Sequence, residues 1–143
     1  MKKLIFVLVV LLMASALYAQ SPAGGSLTIL FPPNSASLRA VSAEQAIANS
    51  QVFTQVARIM ADNPQARMLI DGHASAILGT VAEERNTLRP LSQQRAEAAA
   101  NFLVQNFRIE RHRLIISGAG GVFPISSTDS SLNRRVVFTV LNN

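Results

Sequence analysis

Four short apolar runs, separated by two helical patterns, constrain this chain more than any other feature. Residues 27–31 (LTILF), 67–73 (RMLIDGH), 113–117 (RLIIS) and 134–141 (RRVVFTVL) each have the length and aliphatic content of a strand. Pro32-Pro33 stops the first, because proline cannot donate to a ladder. Gly118-Ala119-Gly120-Gly121 ends the third. Between the first two, Ser42-Ala43-Glu44-Gln45 has capping-box spacing, and Val52, Phe53, Val56, Ile59 and Met60 recur at three- and four-residue steps. Asp62-Asn63-Pro64 closes that helix.

Between the second and third runs, Thr80 and Glu83 again have capping spacing and predict a short helix over residues 81–87, which Pro90 breaks or restarts. Residues 91–106 form the clearest helix, with Ala96, Ala99, Ala100, Leu103 and Phe107 at helical intervals. A Ser-rich loop runs to Asn133. Such alternation predicts an α/β or α+β sandwich with helices on one face of a small sheet.

The N-terminus has a different character. Lys2 and Lys3 precede an unbroken apolar run over residues 4–13 and a small-residue exit at Ala14-Ser15-Ala16-Leu17-Tyr18-Ala19, which is the layout of a secretory signal peptide. A spanning helix needs roughly 20 apolar residues, so this run is too short. The expected organisation is a signal peptide over 1–19, a short linker over 20–26 and one domain over 27–141, with no span left after cleavage. Lys2 and Lys3 are the only lysines, so cleavage lowers the net charge by two, from +5 to +3. That modest charge on an exported domain argues against nucleic acid as a partner. The chain has no cysteine, which excludes a disulfide scaffold, a Cys-ligated zinc site, a thiol nucleophile and a lipidated cysteine.

Most motifs that suggest chemistry fail. Asp71-Gly72-His73 has only His112 as a further imidazole, and His112 sits between Arg111 and Arg113, a poor place for a cation. No metal, cofactor or catalytic residue is expected, and Gly72 reads as a point of close backbone approach. No G-x-S-x-G nucleophile turn exists. Residues 118–121 follow a strand as a phosphate loop would, but Phe123 and Pro124 stand where a third glycine and a helix start belong, so the segment reads as a turn.

One constellation holds together: Leu30-Phe31-x-x-Asn34-Ser35-Ala36-x-Leu38, Asn63-Pro64, Ile70-x-Gly72-His73-Ala74-Ser75, Leu91-Ser92-x-x-Arg95-Ala96, Phe102-Leu103, Arg113-Leu114, Gly118-x-Gly120 and Asn133-Arg134-Arg135-Val136-x-Phe138. Their order and spacing resemble the OmpA-like C-terminal domain family over about residues 27–141. The resemblance implies an α+β fold, a β-α-β-α-β-β two-layer sandwich with helices packed on a small mixed four-stranded sheet. It also implies noncatalytic binding of the peptidoglycan stem peptide, in the periplasm or cell envelope, in a protein that helps tie the wall to the outer envelope. An outer-membrane protein is a second candidate partner.

Carried over by motif, the resemblance assigns Arg95 to a ligand carboxylate, Asn34 to a polar contact and Arg134 to a further positive contact, with Asn133 and Arg135 structural. A guanidinium fork reads a carboxylate bidentately, and Arg95 is expected near a helix start, whose backbone N–H groups also favour an anion. Without the resemblance, Arg95 would read as an exposed helix arginine or an ion-pair partner of Glu97 or Glu84. The departure is Ser75, where the family has an Asp for the ligand ammonium. A neutral bond in place of a charge-assisted one forfeits about 1–2 kcal/mol, on the order of tenfold in affinity. Glu83 or Glu84 is the candidate replacement carboxylate. The competing readings are a scaffold of this fold that lost wall binding and pairs with another protein, which Ser75 favours, and a secreted hydrolase, which has no identifiable nucleophile.

Overall fold

The computed structural model describes residues 27–142. The expected signal peptide and linker lie outside the described residues. The elements are β1 (Thr28–Leu30), α1 (Ala43–Asp62), β2 (Arg67–Gly72), α2 (Val81–Glu83), a π turn (Glu84–Leu88), α3 (Arg89–Phe107), a 3-10 turn (Arg111–Arg113), β3 (Leu114–Gly118), α4 (Ser130–Asn133) and β4 (Arg135–Leu141). The strands form one mixed sheet in the order β1-β4-β2-β3. β4 is antiparallel to both β1 and β2, and β2 is parallel to β3. This is the expected α+β two-layer architecture.

Local chemistry accounts for the element ends. Ser42 Oγ accepts the Gln45 N–H at 3.2 Å and Thr80 Oγ1 accepts the Glu83 N–H at 3.1 Å, each satisfying an orphan donor of a first turn. Pro90 does not end the helical path. The Arg89 N–H bonds back to Glu84 O, five residues earlier, and this wide turn carries the chain from α2 into α3 with Pro90 in the opening turn of α3. The start expected at residue 91 is therefore inside one continuous helical path that begins at Val81. α4 and the 3-10 turn, too short to leave a periodic signal, were not anticipated.

Alternate strand residues face the helices. Ile29, Met68, Ile70, Leu114, Val136 and Phe138 meet Phe53, Val56 and Met60 of α1 and Ala96, Ala99, Ala100 and Leu103 of α3 in one core. Phe53 lies 4.3 Å from Phe102 and packs edge-on to Phe138 at 5.8 Å. Small side chains let α3 approach the sheet closely. At Gly72 an added Cβ would overlap the Ser92 carbonyl, so the glycine is a point of close backbone approach, as expected.

The edge strand β1 is tied to α1 by one side chain. Asn49 Oδ1 accepts the Leu30 N–H at 3.1 Å, and Asn49 Nδ2 donates to Leu30 O at 2.9 Å. Asn49→Ala strands both backbone groups in a largely buried place, so a loss of about 2 kcal/mol is expected. Urea unfolding of the variant measures it, and a change below about 0.5 kcal/mol would mean that water replaces the amide.

Candidate functional site: the cleft at the strand ends

β1, β2 and β3 run in one direction and β4 in the other. The segments leaving β1, β2 and β3 and the residue entering β4 therefore meet at one end of the sheet. Asn34 follows β1, Ser75 follows β2, the Ser-rich loop follows β3, and Arg134 precedes β4. Backbone bonds of 2.8 Å knit the segments together: Phe31 N–H to Arg134 O, His73 N–H to Arg135 O, Ala74 N–H to Gly120 O and Ala119 N–H to Gly72 O.

Arg95 lies behind this junction and is fully buried. Its Nε donates to Ser35 O at 3.0 Å, Nη1 to His73 O at 2.9 Å and Nη2 to Pro32 O at 3.0 Å. The guanidinium also stands 5.6 Å from the centroid of the Phe31 ring. Burial first, and then the charge of Arg134, push its pKa down to about 10, so it stays protonated at neutral pH. Neither the exposed arginine nor the ion pair with Glu97 or Glu84 is found: Glu97 accepts from Gln93, and Glu84 bonds elsewhere. The expected help from a helix start is also absent, because the first free N–H groups belong to Val81 and its neighbours, some four turns earlier.

Asn34 is exposed with φ +50°, a left-handed conformation that Asn tolerates, in the turn between Pro32 and Ser35, two of the three residues whose carbonyls Arg95 binds. Arg134 is half-buried; its Nε donates to Phe31 O at 3.3 Å and its Nη1 to Ser130 Oγ at 2.9 Å. Ser75 is half-buried on the wall of a cleft of about 490 Å³, together with Ser126, Ser127, Thr128, Ser130 and Asn133. Asn133 shapes the far wall: its Oδ1 accepts the Ile125 and Ser126 N–H groups and its Nδ2 donates to Ser126 O at 2.7 Å.

The two candidate replacement carboxylates do not face this cleft. Glu83 accepts the N–H groups of Ile77, Leu78 and Gly79 at 2.7–2.8 Å, and those bonds hold its pKa below the usual range. Glu84 Oε2 accepts the Gly121 N–H at 2.9 Å. Both clamp loops, because a carboxylate next to unpaired backbone donors is satisfied locally. Ser92 was in the motif without an assigned role; buried, it accepts the Gly120 N–H at 2.9 Å and donates to Arg89 O. The segment over 118–121 is a turn, with Gly120 at φ +66°.

Beneath the cleft, His73 is buried with Nε2 3.3 Å from Asp71 Oδ2. Burial, then Arg135, holds the imidazole below its ordinary 6.5, against the pull of Asp71. The unfolded chain therefore takes up this proton at higher pH than the folded one, and the stability present above about pH 6.5 is lost as pH falls. Urea midpoints should drop between pH 7 and pH 5, and more gently in His73→Gln. An equal slope in that variant would mean that another group titrates. Among the described residues, no group of three or more His, Asp or Glu side chains is arranged to hold a metal ion.

The profile of the OmpA family matches residues 30–136. The chain belongs to the OmpA family. This OmpA-family domain is similar in structure to the peptidoglycan-associated lipoprotein of Burkholderia pseudomallei, with 21% identity over 85% of this chain and 95% of that one, at a TM-score of 0.65. It is also similar to the C-terminal domain of Helicobacter pylori MotB, with 16% identity over 83% and 86% of the two chains and a TM-score of 0.60. The cell wall anchor of the T6SS from Pseudomonas aeruginosa shares 25% identity over 81% of this chain and 80% of that one, at a TM-score of 0.57. A search of curated proteins found no match. In this OmpA-family domain the segments carrying Asn34, Ser75 and Arg134 converge, while Arg95 is the buried post to which two of them are fastened.

Proposed function

We propose that this chain is a noncatalytic peptidoglycan-binding module of the cell envelope, exported to the periplasm, that recognises the stem peptide and helps tie the wall to the outer envelope. The observation that carries this reading is a cleft lined by the hydroxyl-bearing segments after β2 and β3, with Arg134 bonded to Ser130 on its wall, within an OmpA-family fold. The similarity to a peptidoglycan-associated lipoprotein and to a cell wall anchor supports it. In this reading Ser75 and Arg134 meet the ligand, Asn34 shapes the rim, and Arg95 holds the rim in place. An outer-membrane protein would be a further partner.

Co-sedimentation of the exported chain with purified sacculi tests the reading. The expected result is binding that Arg134→Ala weakens about tenfold, as for loss of one charge-assisted bond, with no muropeptide released from the wall. A folded chain left in the supernatant overturns it. A second reading, a scaffold of this fold that binds another protein in place of the wall, draws on Arg95, each of whose three nitrogens already donates to a backbone carbonyl.

A further inference from the structure

We propose that the cleft selects stem peptides in which the ω-nitrogen of the diamino acid is acylated and uncharged, as at a cross-link, over stems in which that nitrogen is a free ammonium. The proposal rests on the wall-binding reading and names the ligand chemistry of the same site.

Three observations converge. First, none of the side chains lining the cleft carries a charge; its polar groups are the hydroxyls of Ser75, Ser126, Ser127, Thr128 and Ser130 and the Asn133 amide, which is already committed to its own loop. Second, no carboxylate is among the lining side chains, and those nearby are turned to other donors. Glu83 takes three backbone N–H groups, Glu84 takes Gly121, Asp129 takes the N–H and O–H of Ser131, and Asp71 faces His73. Third, the charged side chain that bonds the cleft wall is positive: Arg134 donates to Ser130 Oγ.

An unacylated diamino terminus presents an ammonium beside its carboxylate. Arg134 attracts the carboxylate, but the ammonium enters a partly desolvated site whose lining offers it no carboxylate, which is unfavourable. Acylation removes the ammonium, leaves the carboxylate, and creates an amide whose N–H and C=O both suit hydroxyls, since each hydroxyl donates and accepts. The acylated ligand is then net negative and meets a positive rim.

The test is calorimetric titration of the exported chain with two soluble muropeptides. One carries a free ω-amine on its diaminopimelate. The other is identical but acetylated there, with the neighbouring carboxylate intact. The acetylated ligand should bind about tenfold more tightly. In Ser75→Asp the preference should shrink or reverse, because that carboxylate supplies the missing partner for the ammonium. Equal affinities, or tighter binding of the free amine by the parent chain, overturn the inference and leave the wall-binding reading intact. Failure of the folded parent chain to bind either ligand overturns both.

Discussion

Arg95→Ala should destabilise the domain by about 3–5 kcal/mol, a large part of the roughly 5–15 kcal/mol that holds a domain of this size together. The guanidinium is fully buried, and each of its three nitrogens donates to a carbonyl: Ser35, His73 and Pro32. Alanine leaves those carbonyls unpaired in a cavity and frees the loop after β1 from the end of β2. Charged hydrogen bonds contribute about 1.5–3 kcal/mol each, and the three are not additive because they share one group. Arg95→Lys should recover only part of the loss, since an ammonium cannot present a rigid planar fork to three separate oxygens. Urea unfolding followed by far-ultraviolet circular dichroism measures both variants. If Arg95→Ala kept parental stability and lost only sacculus binding, the arginine would be a ligand group rather than a brace.

Gly72→Ala should cost about 3 kcal/mol, at the upper end of ordinary overpacking. The added carbon would overlap the Ser92 carbonyl and come within 3.3 Å of the Ala96 Cβ. The obstacle is backbone, so no rotamer change relieves it; α3 must lift from β2, and the core between Ala96 and Ile70 opens. Gly79→Ala is the informative control. Gly79 has φ +66° but nothing near the added carbon, so only the left-handed backbone is penalised, by about 1 kcal/mol. Thermal unfolding of the two variants separates packing from conformation. Equal melting temperatures would mean that the helix shifts away from Gly72 at little cost.

Features fixed by neighbouring residues are legible in the sequence, and those fixed by distant ones are not. Ser42 and Thr80 cap helices through bonds to residues three positions on, and each could be read from its neighbours. Pro90 was a harder case. Its effect depended on whether the preceding turn would widen, and the Arg89 to Glu84 bond let the helical path continue. Glu83 and Glu84 lay between the two halves of the site in the chain, which suggested a ligand role. In space they clamp residues 77–79 and Gly121. A carboxylate is claimed by the nearest unpaired backbone donors, and the sequence does not say which those are.

By itself, then, the sequence determined the strands and the two main helices, because periodicity, caps and Pro or Gly stops act within a few residues along the chain; the family showed in the order and spacing of its motifs. The tertiary structure alone decided what Arg95 does. Its three carbonyl partners lie 60, 22 and 63 residues away, on segments brought to one end of the sheet because β1, β2 and β3 share a direction. A guanidinium forms whichever charge-assisted bonds its surroundings offer, and those surroundings exist only after the sheet has assembled.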